Sequence, residues 1–254
     1  MSDYILQLQN ITKVFPGVKA LDNVTFSVER GHVHALVGEN GAGKSTLIKV
    51  ICGVYPYGTY DGTVSFDGQQ CKFRTIRDVE KAGIVCIHQE MNLIPDMSIA
   101  ENVFINNQPN KMGVIDFDEQ HERCRKLLQE VGLNVNPEEM VRNLGVGQQQ
   151  MVEIAKALAR DVKLLLLDEP TAALTEAEVD ILLDLVDKLR SDGVTCIYIS
   201  HRLDEIMRLC DDITILRDGQ TIETRPKSKM SKDDMISLMV GREMTNLFPR
   251  VPHT

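Results

Sequence analysis

Val33-His34-Ala35-Leu36-Val37 followed by Gly38-Glu39-Asn40-Gly41-Ala42-Gly43-Lys44-Ser45-Thr46 decides the fold. The first five residues form a short run that is apolar except at His34, as a buried strand allows, and apolar residues recur at helical spacing from Lys44 to Cys52. A glycine-rich turn between strand and helix is one reading. A phosphate cradle is the other, and Lys44 and Ser45 directly after the last glycine favour it. A polyphosphate needs inward-pointing backbone N–H groups, glycines where a Cβ would block approach, a cation, and a hydroxyl that can ligate Mg²⁺. Gly38, Gly43, Lys44 and Ser45 supply these at the GxxxxGK(S/T) spacing, and Glu39, Asn40, Gly41, Ala42 and Thr46 complete the loop and the first turn after it.

Upstream, Ile5–Leu8 and Val24–Val28 alternate like strands and are broken by Pro16-Gly17 and Gly31. Downstream, Thr63–Phe66 with Asp67-Gly68 predicts a hairpin, so the N-terminal part carries an antiparallel piece. A short helix over 75–81 ends at Gly83, and Ile84–Ile87 forms a buried strand leading to Gln89. From about 90 to 160 the strand pattern gives way to helices, a helical insert opened by the Ser98/Glu101 capping box and containing an amphipathic stretch over 147–160. Leu164–Leu167 is apolar on both faces, as in the middle of a parallel sheet. A helix capped by Thr175 and Glu178, a strand over 194–199 and a hairpin at Asp218-Gly219 complete a doubly wound α/β plan with a mostly parallel core sheet. Residues 1–245 are expected to form one domain, and 246–254, with Pro249 and Pro252, a linker.

Asp168-Glu169 closes the strand Leu164–Leu167, at the end where a doubly wound sheet binds its ligand. Alternation along the strand would point the two carboxylates apart, Asp168 toward Mg²⁺ with Ser45, Glu169 toward a water attacking the γ-phosphate. Asn143–Gln150 opens a helix with small residues, a second site suited to an anion. One nucleotide does not need two. The duplication is explained if the second serves a nucleotide held by another domain.

The net charge of −9 disfavours nucleic acid as the main partner. Six cysteines without a CxxC pair read as reduced core residues. The N-terminus lacks the pattern of a signal peptide, and no window reaches the ~20 apolar residues of a membrane helix, so membrane work would require other chains.

In this order the elements resemble the ATP-binding domain of an ABC transporter. The resemblance implies that Gly38–Ser45 is the Walker A loop, Gln89 the Q-loop residue and a further metal ligand, and Leu144, Gly145, Val146, Gly147 and Gln148 the signature loop. It also implies Asp168 as Walker B, Glu169 as catalytic base, His201 as switch histidine and Phe15 as the ring stacked on adenine, with ATP and Mg²⁺ as cofactors. From the residues themselves, Gln89 also reads as a polar strand cap, His201 as a loop histidine and Phe15 as a core residue. Two positions depart from the family pattern: Gly145 and Val146 replace the usual serine and glycine, and Thr175 stands where aspartate is usual.

Cys52–Pro56, His88-Gln89-Glu90, Met151–Leu158 and Met239–Glu243 are similar to the first half of tandem ATPase subunits of bacterial monosaccharide importers, and Gly58–Gly62 to their xylose branch. That implies a second ATPase half or a homodimer partner, transmembrane permease subunits docking near 91–105, and, indirectly, a periplasmic sugar-binding protein. The expected place is the cytoplasmic face of the bacterial inner membrane. The rival readings are a soluble ATPase of the same type acting on ribosomes or DNA, and a regulatory half with weak hydrolysis.

Overall fold

The computed structural model describes residues 3–89, 91–111 and 113–241. Glu90, the expected domain limit at 245 and the expected linker 246–254 lie outside them. Two long strands, β1 (Tyr4–Phe15) and β2 (Val18–Glu29), pair antiparallel about Pro16-Gly17. Each is longer than alternation suggested. Irregular register along β1 and left-handed backbone at Asn10 and Asn23, both at φ 54, break the period-2 pattern. Strands β4 (Asp61–Phe66) and β5 (Gln69–Cys71) form the expected hairpin, with Asp67 and Gly68 at positive φ, and complete a four-stranded sheet ordered β2-β1-β4-β5.

The second sheet holds the ligand-binding end. It contains β3 (Val33–Val37), β6 (Ile84–Ile87), β9 (Leu164–Asp168), β10 (Thr195–Ile199), β11 (Asp212–Arg217) and β12 (Gln220–Pro226), in the order β12-β11-β3-β10-β9-β6. All neighbours are parallel except the β11–β12 hairpin. Leu165 and Leu167 of β9 face one core, with Cys196 and Tyr198 of β10, while Leu164 and Leu166 face the other, with Ile197 and Ile199. Both faces of the sheet are therefore covered, which is why these strands read as continuous apolar runs.

The second core includes α1 (Lys44–Ile51) and the antiparallel sheet. The first is roofed by α3 (Ile99–Val103), α4 (Phe117–Glu130), α5 (Val146–Leu158) and α6 (Glu176–Ser191). The capping boxes at Ser98/Glu101 and Thr175/Glu178 are formed, so Thr175 serves α6 as a cap where the family pattern has aspartate. The helical region also holds a two-residue hairpin, β7 (Asn110–Lys111) with β8 (Val114–Ile115), too short to leave a periodic signal. Short helices α2 (Ile76–Ala82) and α7 (Leu203–Leu209) and a late helix α8 (Lys232–Val240) complete the chain. Cys52, Cys124, Cys196 and Cys210 are buried free thiols, and Cys71 and Cys86 are half-buried.

Candidate nucleotide site

A cavity of about 610 Å³ opens over the carboxyl end of the parallel sheet. Its floor is the loop between β3 and α1, represented by Asn40, Gly41, Gly43, Lys44, Ser45 and Thr46. One wall is the start of β2 with Val18, Lys19 and Ala20, another the β11–β12 turn with Asp218 and Gly219, and Gln89, Asp168 and Glu169 close it.

Close approach fixes two of the glycines. A Cβ on Gly38 would fall 2.4 Å from the Leu216 carbonyl oxygen. Gly43 holds φ +102, and its Cβ would fall 2.8 Å from the Ala20 oxygen and 2.9 Å from Leu21 Cδ2. The loop is wedged between neighbouring turns, and Gly219 N–H donates to the Ala42 carbonyl at 3.1 Å to pin it.

Lys44 is buried, and its ammonium donates to the carbonyls of Gly38 at 2.7 Å and Glu39 at 3.0 Å. Burial lowers its proton affinity, and Glu169 and Asp168 pull it back up. Asp168 is half-buried at the end of β9. Burial first, and Glu169 beside it second, raise its pKa, while His88 and Lys44 oppose the shift. Two partly desolvated carboxylates facing one ammonium make a site short of positive charge, which a divalent cation would relieve.

Both acids line the one cavity, and Glu169 does not continue the alternation of the strand. At Glu169 the chain has left β9 and turned left-handed, φ 48, with its N–H donating to Ile199 at 2.9 Å. This turn aims the carboxylate at His201, whose Nδ1 lies 3.5 Å from Glu169 Oε2. His201 is 64% exposed and Glu169 18%. Gln89 is exposed in the cavity wall. Phe15 is half-buried and does not wall the cavity among the described residues. It packs edge-on against Tyr55, centroids 5.6 Å apart, beside the buried Lys13 ammonium.

Leu144, Gly145, Val146, Gly147 and Gln148 are not brought to this cavity. They form the start of α5, where the Gly145 N–H is capped by Gln148 Oε1 at 3.1 Å and Gly147 abuts Glu178 of α6.

Two buried carboxylates have partners that no local sequence pattern shows. Glu153 of α5 accepts from the Asn92 N–H at 2.7 Å, and Lys156 donates to the Asn92 carbonyl at 2.6 Å, so α5 holds the stretch after Gln89. Glu205 of α7 gathers hydroxyls from Thr171, Tyr198 and Ser200.

Comparison with known proteins settles the family. The ABC transporter family model matches residues 21–172. The chain belongs to the ABC transporter family. Relatives include a xylose import ATP-binding protein XylG of Moorella thermoacetica, 57% identical over 254 residues, covering 100% of this chain and 50% of that one. They also include an L-arabinose transport ATP-binding protein AraG of Geobacillus stearothermophilus, 57% identical over 251 residues, 98% of this chain and 49% of that one. The chain spans about half the length of these curated relatives. An ABC transporter ATP-binding cassette solved in its ADP conformation matches at TM-score 0.82 and 28% identity, over 95% of this chain and 100% of that one. A cassette solved as a dimer in a post-hydrolysis state with ADP and Pi matches at TM-score 0.76 and 26% identity, over 87% and 98%. These agree with the sheet order and the antiparallel N-terminal sheet of this ABC domain.

Proposed function

We propose that this chain is the ATP-binding and ATP-hydrolysing half of a subunit that energises import of a monosaccharide, xylose or a close relative, through separate membrane subunits. The observation that carries the reading is the single cavity walled by Lys44, Asp168 and Glu169, with His201 3.5 Å from Glu169. Its substrate side rests on the sugar-import relatives, to which the sugar specificity belongs.

In this reading the loop N–H groups and Lys44 bind the phosphates. Ser45, Asp168 and Gln89 offer the hydroxyl, carboxylate and amide oxygens that suit Mg²⁺, which when bound would neutralise phosphate charge. Glu169 takes the proton of the attacking water and His201 holds the position beside it. The start of α5, Leu144–Gln148, with Gly145 and Val146 exposed, covers the nucleotide of a second half or a second copy, consistent with the dimeric cassette above. Permease subunits dock in the groove of about 320 Å³ that includes His88, Asn92 and Ile105, which places them beside Gln89. The periplasmic sugar-binding protein is reached only through that permease. Among the described residues no helix is long and apolar enough to cross a membrane, so attachment to the inner membrane runs through those partners.

One observation favours a second reading, a half with weak hydrolysis of its own. Gly145 brings no hydroxyl to the partner's phosphate, and its N–H is already capped by Gln148. Xylose-dependent ATP turnover with permease and binding protein in membranes tests the first reading. Turnover indifferent to every pentose tried would sink the import assignment.

A further inference from the structure

We propose that Glu205 is a positioning residue that sets the gap between Glu169 and His201, an inference that rests on the ATPase reading above. Glu205 lies on α7, 4% exposed, and touches neither the cavity nor the reacting groups. Its Oε2 accepts from Tyr198 at 2.9 Å, Ser200 at 2.9 Å and Thr171 at 3.0 Å, and its Oε1 lies 3.0 Å from the Arg202 guanidinium.

These partners bracket the two groups the mechanism uses. Thr171 lies two residues past Glu169, in the turn where Ala172 N–H donates to the Glu169 carbonyl at 3.2 Å. Ser200 directly precedes His201 and accepts from the Arg202 N–H directly after it, at 3.0 Å. The backbone on both sides of His201 is therefore tied to one carboxylate. The sheet fixes Glu169 and Ile199 only as far as the end of the ladder, through the Glu169 N–H. Past that point the chains separate, and Glu205 is the group that joins them again.

An ionised carboxylate accepts only, so three hydroxyls aimed at one oxygen must all donate, and their rotors are fixed together. A group filling space would not need that charge. Glutamine has the same size but offers one acceptor oxygen and an NH₂ that competes for it.

The test compares Glu205→Gln, Thr171→Val and Thr171→Ser with the parent chain, in hydrolysis and in amide hydrogen exchange. Slackening of the gap should cut kcat by roughly 10- to 100-fold for Glu205→Gln and Thr171→Val, in line with the cost of ångström-scale misplacement. KM for ATP should stay within about 2-fold, and Thr171→Ser should restore the rate. In a His201→Ala background Glu205→Gln should add little, because the two act through one geometry. Exchange should quicken in 171–174 and 200–203 while 38–44 stays as in the parent, a readout that needs no turnover. The inference is overturned if both variants keep kcat, if the Glu205→Gln and His201→Ala losses multiply, or if exchange rises equally in the cradle. Normal turnover in Glu169→Gln would instead remove Glu169 as the base, and absence of ATP hydrolysis by the parent chain would defeat the ATPase reading; in either case the exchange comparison would still judge the tether.

Discussion

The molecule contains two glycine-rich loops that each open a helix, and they are built in opposite ways. The loop before α1 is wedged into the fold: Gly43 sits at φ +102 with the Ala20 oxygen 2.8 Å from where its Cβ would be, and Lys44 fills the loop with its own ammonium. The loop before α5 exposes Gly145 and Val146 while Leu144 and Gly147 are buried. Gly145 has φ −65, an ordinary value for any residue, and the nearest atom to its would-be Cβ is 3.9 Å away. The first loop is finished within one chain. The second lines no part of the cavity, and on the proposed reading it acts only on a nucleotide held by another half or copy.

Chemistry should fail most severely at the loop before α1. Glu169→Gln should retain ATP binding and lose ~10²- to 10⁴-fold in hydrolysis, read by phosphate release at saturating ATP. Lys44→Ala should weaken ATP binding by roughly 10- to 100-fold in titration calorimetry, the size expected for losing a hydrogen bond to a charged group. A comparable loss from changing Gln148 in the isolated chain would break the comparison, because that residue should not yet touch nucleotide.

Backbone substitutions sharpen it next. Gly43→Ala forces a side chain into both a strained φ and a clash, and should cost on the order of 1–3 kcal/mol in denaturant unfolding. Gly145→Ser meets neither obstacle, adds a favoured cap, and should stay within about 0.5 kcal/mol of the parent or gain slightly. It should also raise turnover wherever a second half is present, since it supplies the missing hydroxyl.

The smallest effect is electrostatic. The raised pKa of Asp168 means that its contribution to stability is present below the unfolded-state value and is lost as pH rises through the folded one, leaving a strained charge at pH 7. Asp168→Asn should therefore raise the melting temperature at pH 7 without Mg²⁺, by about 2–4 °C for each kcal/mol relieved, and the gain should vanish at acid pH. Calorimetric scans at the two pH values check it.

What sequence reading could see follows the same division. The cradle, the turn pairs Asp67-Gly68 and Asp218-Gly219, and the caps at Ser98 and Thr175 were legible because each depends on residues a few positions apart. The full length of β1 and β2 was hidden by their irregular register, and α7 and α8 by their shortness and weak periodicity. The left-handed turn at Glu169 had no glycine to announce it. Glu153 and Glu205 were invisible for a different reason. Asn92 lies 61 residues from Glu153, and Thr171 lies 34 from Glu205, so only the fold brings these partners together.

ATP turnover per chain with Mg²⁺, measured from dilute to concentrated protein beside equilibrium ATP binding in the same samples, decides whether one chain completes the site. One chain should bind one ATP at every dilution, while turnover per chain climbs with concentration as a second copy brings its α5 loop over the cradle. Turnover per chain that stays constant and substantial down to the most dilute sample would mean that one chain completes the site, and would contradict the account.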